Sequence, residues 1–505
     1  MRSRFERRLA LLGAVNVMSF LAYTLLSYGM TAVAPFVVDR PVKAEVYRQF
    51  AESVAPLGAA VQAVLRGESA LAQQDVFLMA YMLPFIVSSA ALVGLLALLA
   101  RHRSELDDRA IRSVMGWATA FAVVVTFAAP VLVEDFWLSP AWGRMVANGI
   151  NPYHTDLTTS ITRGLPLDIF SGQRMTYGPL WAVASGALMM IAGNSAILAG
   201  LLFKAVLLGF WLVSLRLVQK LLRRSSPWHQ CAGIAVFGWL PLSIVHTMGD
   251  GHNDVAVVLL VLLWLFAIEH DRPVFATMAL AGSVLVKYVT APLFLLDFLH
   301  LYRGRKRPWK EYFPHVLVAA GMAVVLIGAF YRSPDFFSAA SSMRNWHFYT
   351  PRDAIAALGG WFGIKPSFVS APGLLIIGGA ALVLIFFLMV AVSGIIRYWH
   401  RSSAQEFRLA IMAVFTGIFF GVLGHIWPWF FLWGIASAAL VPFSLWARWM
   451  LGVSVAAPFA MVMWTTYGAR TIPHATIAMY AFALVWVLLI PEWQVSALPN
   501  STDMP

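Results

Sequence analysis

The sequence predicts an all-α, polytopic membrane protein, and three observations carry that reading. Apolar residues make up 60% of the 505-residue chain and charged residues only 12%, which is not the balance of an ordinary soluble domain. The apolar residues arrive as repeated runs of about 20, the length that crosses a bilayer as a helix. The 36 Lys and Arg, against 24 Asp and Glu, sit in short clusters between those runs, the arrangement that orients membrane helices. The net charge of +12 therefore does not point to nucleic acid. One cysteine, Cys231, excludes an internal disulfide framework and a Cys-based metal site.

Taken in order, residues 1–8 are basic and 9–30 are apolar. That run exceeds the 7–15 residues of a signal-peptide core, so it reads as a retained first span. Further spans are expected at 76–100, 114–133, 195–218, 230–248, 255–270, 273–287, 288–302, 313–331, 372–396, 408–426, 428–446, 450–467 and 474–491. The total is about fourteen transmembrane helices. With the N-terminus inside, the basic loops 101–112, 219–229, 303–311 and 397–408 are cytoplasmic. The longer segments 31–75, 134–178 and 332–371 then lie outside, where positive charge is sparser. Segment 179–193 is too short to cross and is expected as an interfacial helix in the outer loop. Segment 42–66, with Val42, Val46, Phe50 and Val54 among charges, is expected as a second one. The chain reads as a single integral membrane domain, 1–505. Within it, 1–113 form an N-terminal helical pair with an outer interfacial segment, 114–447 a core, and 448–505 a C-terminal pair with a polar tail.

Once the spans are placed, nearly all informative polar residues fall on the outer side. Glu134 and Asp135 follow directly on the run 114–133, and carboxylates at a helix mouth are unfavourable there unless used. His252, Asn253 and Asp254 end the tight turn from Gly249, Lys287 ends a span, and Arg344, Asn345, Trp346, His347 and Tyr349 occupy the loop 332–371. His425, Trp427, Trp429 and Trp433 occupy another outer turn. One outer-face site accounts for this clustering. Sugar transfer from a lipid-phosphate carrier to an acceptor hydroxyl fits it. The attacking hydroxyl needs a base, which a carboxylate supplies, and the leaving phosphate needs cations and donors, for which Lys287, Arg344 and His252 are available. Trp and Tyr faces suit sugar rings and lipid grooves, and the lack of a Gly-rich phosphate loop argues against a soluble nucleotide-sugar donor.

At these residues the chain resembles the GT-C class of polyprenol-phosphosugar-dependent glycosyltransferases, closest to its bacterial mannosyltransferase branch. The motifs that carry the resemblance are Asp135 followed by Gly149-Ile150-Asn151-Pro152-Tyr153, then Tyr177-Gly178-Pro179-Leu180-Trp181, Gly251-His252-Asn253-Asp254, Lys287-Tyr288, and Trp427-Pro428-Trp429-Phe430-Phe431-Leu432-Trp433. They extend over roughly 130–435. Leu138-Ser139 and Trp142-Gly143 stand where the family often carries Arg-Tyr and Asp-Gly. The resemblance implies Asp135 as catalytic base and inversion at the anomeric carbon. It also implies His252, Asn253, Lys287, Arg344 and Tyr177 around the donor phosphate and sugar, with Trp427 and Trp429 stacking on sugar or lipid. The partners it implies are a lipid-linked sugar donor, with mannose favoured, a glycan or glycolipid acceptor and the bilayer of a cell inner membrane, with the site on the periplasmic face.

Plainer readings stand beside these. Asp135 could be a solvated helix-end carboxylate, and Glu134 a neighbour pointing elsewhere. Gly, Asn and Asp suit tight turns without any function, which fits Asp254 best. Lys287, Lys204 and Arg216 could be snorkelling charges. The Trp-rich turn could be an aromatic belt. No cofactor is expected, and His252 lacks an obvious spaced ligand set for a metal, although some members of the resembled class use a divalent ion. A secondary transporter would need polar groups near the midplane. A non-catalytic subunit on the same fold, or a ligase using a diphosphate-linked donor, are the other rivals.

Overall fold

The computed structural model describes residues 4–33, 70–130, 135–162, 165, 173–305, 313–342, 349–365, 370–467 and 471–489. Among them every regular element is helical. Several helices begin as the sequence instructs. Asp107 accepts the backbone N–H groups of Arg109 and Ala110 at the start of Asp108–Thr126, and Ser195, Ser226, Ser370 and Ser403 cap four others. Proline occupies the first turn of Pro179–Ala192, Pro227–Gly238 and Pro273–Val286, where its missing N–H is no loss.

Seven helices among the described residues are long and apolar enough to cross a membrane: Arg4–Ser27, Tyr81–Arg101, Ala196–Leu221, Phe313–Phe330, Ala371–Arg401, Ala404–Val422 and Leu445–Met463. The expected span 230–248 is a pair, Pro227–Gly238 and Pro241–Gly249, bent by 56°. The other six expected spans also fall on helices, at Asp108–Thr126, Asp254–Glu269, Pro273–Val286, Tyr288–Tyr302, Pro428–Leu440 and Ile472–Leu488. These are shorter or more polar than a full crossing. The expected short apolar helix is present at Pro179–Ala192, whereas segment 42–66 lies outside the described residues.

Two sets of contacts gather segments that the sequence places on opposite sides. At one end Arg408 bridges the carboxylate of Glu269 and the Leu221 carbonyl, and Tyr302 stacks on Trp399. Tyr153, Phe336, Tyr177 and Lys287 meet elsewhere, all from segments expected on the opposite side. Asp135–Ala147 lies directly on Pro179–Ala192, because a Cβ at Gly143 would run into the Ser185 carbonyl and one at Gly186 would sit 2.6 Å from Val146. The N-terminal helices pack on the same body: Tyr23 meets Tyr81 at 5.1 Å between ring centroids, and its hydroxyl lies beside Gly249.

A buried candidate site at one turn

The turn between the bent pair and the helix Asp254–Glu269 organises the site. Its approach is a π-helical turn, Val245–Gly249, closed by the Asp250 N–H donating to the Val245 carbonyl at 2.9 Å. Such widened turns recur where side chains must be re-aimed. Gly251 then adopts φ +69°, and a Cβ there would enter the Phe136 ring, so this position needs glycine on two counts. That contact joins two distant motifs, since Phe136 is the neighbour of Asp135, the residue that opens the helix Asp135–Ala147.

His252 and Asn253 are 2% exposed. The His252 N–H donates to the His246 carbonyl at 3.0 Å, and its ring stacks on Trp429 at 3.9 Å and 13°. Trp429 stacks in turn on Trp427 at 4.9 Å. The expected aromatic turn is therefore a wall of the polar turn. Burial, reinforced by His246 and Lys287 nearby, pushes the His252 pKa well below the usual histidine range, so the ring is neutral.

Lys287 lies on the other flank. Its ammonium donates to both carboxylate oxygens of Asp254 at 2.8 Å and faces the rings of Tyr177, Phe430 and Trp433 at 4.9, 5.2 and 5.4 Å. The Tyr177 carbonyl accepts from the Tyr153 hydroxyl at 2.8 Å, and the Gly178 N–H donates to Val286. The Gly149–Tyr153 segment, the Tyr177–Trp181 segment and the end of the Lys287-bearing helix thus converge.

Of the residues expected to form one site, Tyr177, His252, Asn253, Lys287, Trp427 and Trp429 come together, with the backbone of Asp135 alongside through Phe136. Arg344 and Glu134 lie outside the described residues. Tyr349 is taken up in packing, its hydroxyl donating to the Ala460 carbonyl and its own carbonyl accepting from Tyr480. His425 is buried against Phe430. The positions that depart from the family pattern are interior: Leu138 and Trp142 are buried, Trp142 meets Tyr177 edge-on, and Ser139 accepts from the Trp181 indole at 3.0 Å.

Lys204 corrects an expectation. Its ammonium does not snorkel to an interface but is buried, donating to the carbonyls of Ala128 and Gly249, which leaves two backbone acceptors satisfied and the turn tied to the end of Asp108–Thr126. Two further residues escaped the sequence reading. His246 donates from Nδ1 to Asp250 at 2.6 Å with both side chains fully buried, so His252 does have companions. The signal was present as His246-x-x-x-Asp250-x-His252.

A family model described as alpha-(1->6)-mannopyranosyltransferase, N-terminal domain, matches residues 36–302. That segment holds Asp135, Tyr177, His252, Asn253 and Lys287 and ends before Trp427 and Trp429. No curated protein and no solved structure matches the chain.

Proposed function

The chain belongs to the alpha-(1->6)-mannopyranosyltransferase family and is a membrane glycosyltransferase, and from that premise we propose that it moves mannose from a polyprenyl phosphate to a glycan or glycolipid hydroxyl. In this reading the acceptor oxygen attacks the anomeric carbon from the face opposite the phosphate. The bond from that carbon to the phosphate oxygen breaks, polyprenyl phosphate leaves, and Asp135 takes the hydroxyl proton. His252 and Asn253 meet the donor from the turn, Lys287 and Arg344 face its phosphate, and Trp427 and Trp429 supply stacking surface. We place the chain in a cell inner membrane with about fourteen crossings and the site on the extracytoplasmic side, because its Lys- and Arg-rich loops favour the cytoplasm.

One observation supports this most strongly. The turn Gly251–Asp254, distant in sequence from Asp135, packs on Phe136 and on Trp429 at once, which brings three separate motifs to one place. The test is transfer from polyprenyl-phosphomannose by purified protein. Asp135→Asn should lower turnover by roughly 10²–10⁴-fold while the variant elutes and melts like the parent. Undiminished turnover would sink the role given to Asp135.

A further inference from the structure

One residue given above to the donor, His252, also belongs to a second polar group with different chemistry. His246, Asp250 and His252 each offer one ligand atom, and those atoms all lie within 4.8 Å of one another. All three side chains are buried, at 0%, 0% and 2% exposure. The Asp250 carboxylate uses Oδ2 to accept from His246 Nδ1. His246 Nδ1 and Asp250 Oδ2 thus share one proton, and displacing it would leave both atoms free to ligate an ion. Among the described residues, His246 Nε2, His252 Nε2 and Asp250 Oδ1 have no hydrogen-bond partner.

A buried heteroatom left without a partner is unfavourable, and a ligand that occupies it relieves that cost. An ion seated between the three side chains, in place of the proton shared by His246 and Asp250, would draw on all three residues. Donors around a tetrahedral zinc stand about 3.4 Å apart, a spacing of the same order as the 4.8 Å limit within which the three ligand atoms lie. The donor set also selects the ion. Two imidazoles and a single carboxylate suit zinc, cobalt or manganese, whereas magnesium and calcium need more oxygen.

We propose that His246, Asp250 and His252 bind one divalent transition-metal ion. The site stands on its own donor atoms and does not depend on the identity of the sugar donor.

Metal content tests it without reference to transfer. Full-length protein in detergent is stripped with chelator, loaded with Zn²⁺ or Co²⁺ and desalted. About one ion per chain should remain, excess Mg²⁺ should not displace it, and the Co²⁺ form should show visible d–d bands with imidazole in its X-ray absorption spectrum. His246→Ala and Asp250→Ala should each lose the ion. Should those variants fail to fold, the Co²⁺ spectra of the unaltered protein decide alone. Wild-type protein that retains no ion, variants that retain it fully, or a bound ion without imidazole ligands would each overturn the proposal. Mannose transfer by ion-free protein would overturn it too if no ion can then be loaded, while leaving the proposed function standing.

Discussion

Two buried ionic clusters flank the same turn, and they differ in how completely their atoms are satisfied. In the first, both oxygens of Asp254 accept from Lys287, whose charge is wrapped by three aromatic rings. In the second, Asp250 is bonded through one oxygen to His246 while the other oxygen and two imidazole nitrogens are unsatisfied among the described residues. Burial is similar, so it does not by itself separate scaffold from site. What separates them is leftover valence. A closed pair braces the backbone, and in it Lys287 can meet a donor phosphate only while sharing its charge with Asp254, whereas an open set carries a standing desolvation penalty that a ligand can relieve.

The largest effect should come from opening the closed cluster. Lys287→Ala strands Asp254 in the interior, and breaking one side of such a pair destabilises by about 3–5 kcal/mol. Thermal unfolding in detergent should fall accordingly, and the double substitution Lys287→Met with Asp254→Leu should recover most of the loss, because apolar replacements of similar volume are tolerated. A Lys287→Ala protein that melts like the parent would break the comparison. The double variant also sharpens it: sustained mannose transfer there would remove Lys287 from the donor phosphate and leave it as a brace alone.

Gly251 belongs to both clusters, since it precedes His252 and seats the turn on Phe136. Gly251→Ala places a side chain at φ +69° and against that ring, at a cost of about 1–3 kcal/mol. Transfer should fall further than stability does, because both flanks of the turn move together. A variant with normal transfer and a lowered melting point would show that the turn's register is irrelevant to the chemistry.

How much of this was legible in the sequence depended on whether a property is local. Helix positions were, because apolar run length is a local quantity: each expected span overlaps a helix, and the segment expected not to cross is the short helix Pro179–Ala192. Which helices are full crossings was less so, since the bend between Gly238 and Pro241 follows from packing as well as from proline. Motif residues such as His252, Lys287 and Trp429 could be named from pattern, yet their partners could not. Asp254 looked like a turn former and is the counter-ion of a residue 33 positions away. Lys204 looked like a snorkelling charge because a lone Lys in an apolar run carries no sign of the carbonyls it will meet. His246 was hidden for the opposite reason: its spacing to Asp250 was visible, but a helical reading of 230–248 gave no cause to widen the turn and aim it at Asp250.

The smallest predicted effect probes the open cluster from its aromatic wall. Trp429 holds His252 by stacking and leaves the Lys287–Asp254 bonds untouched. Trp429→Phe keeps an aromatic face but offers less of it, so the fold should lose about 0.5–1.5 kcal/mol, the range of one aromatic contact. His252 should gain rotational freedom, because its other anchor is a backbone N–H bond that does not fix the ring. The expected signature is therefore a raised KM for the lipid-linked donor with a nearly unchanged melting temperature. A melting loss as large as that of Lys287→Ala would mean that the stack is as much a brace as the ion pair, and the distinction between closed and open clusters would fail at this residue.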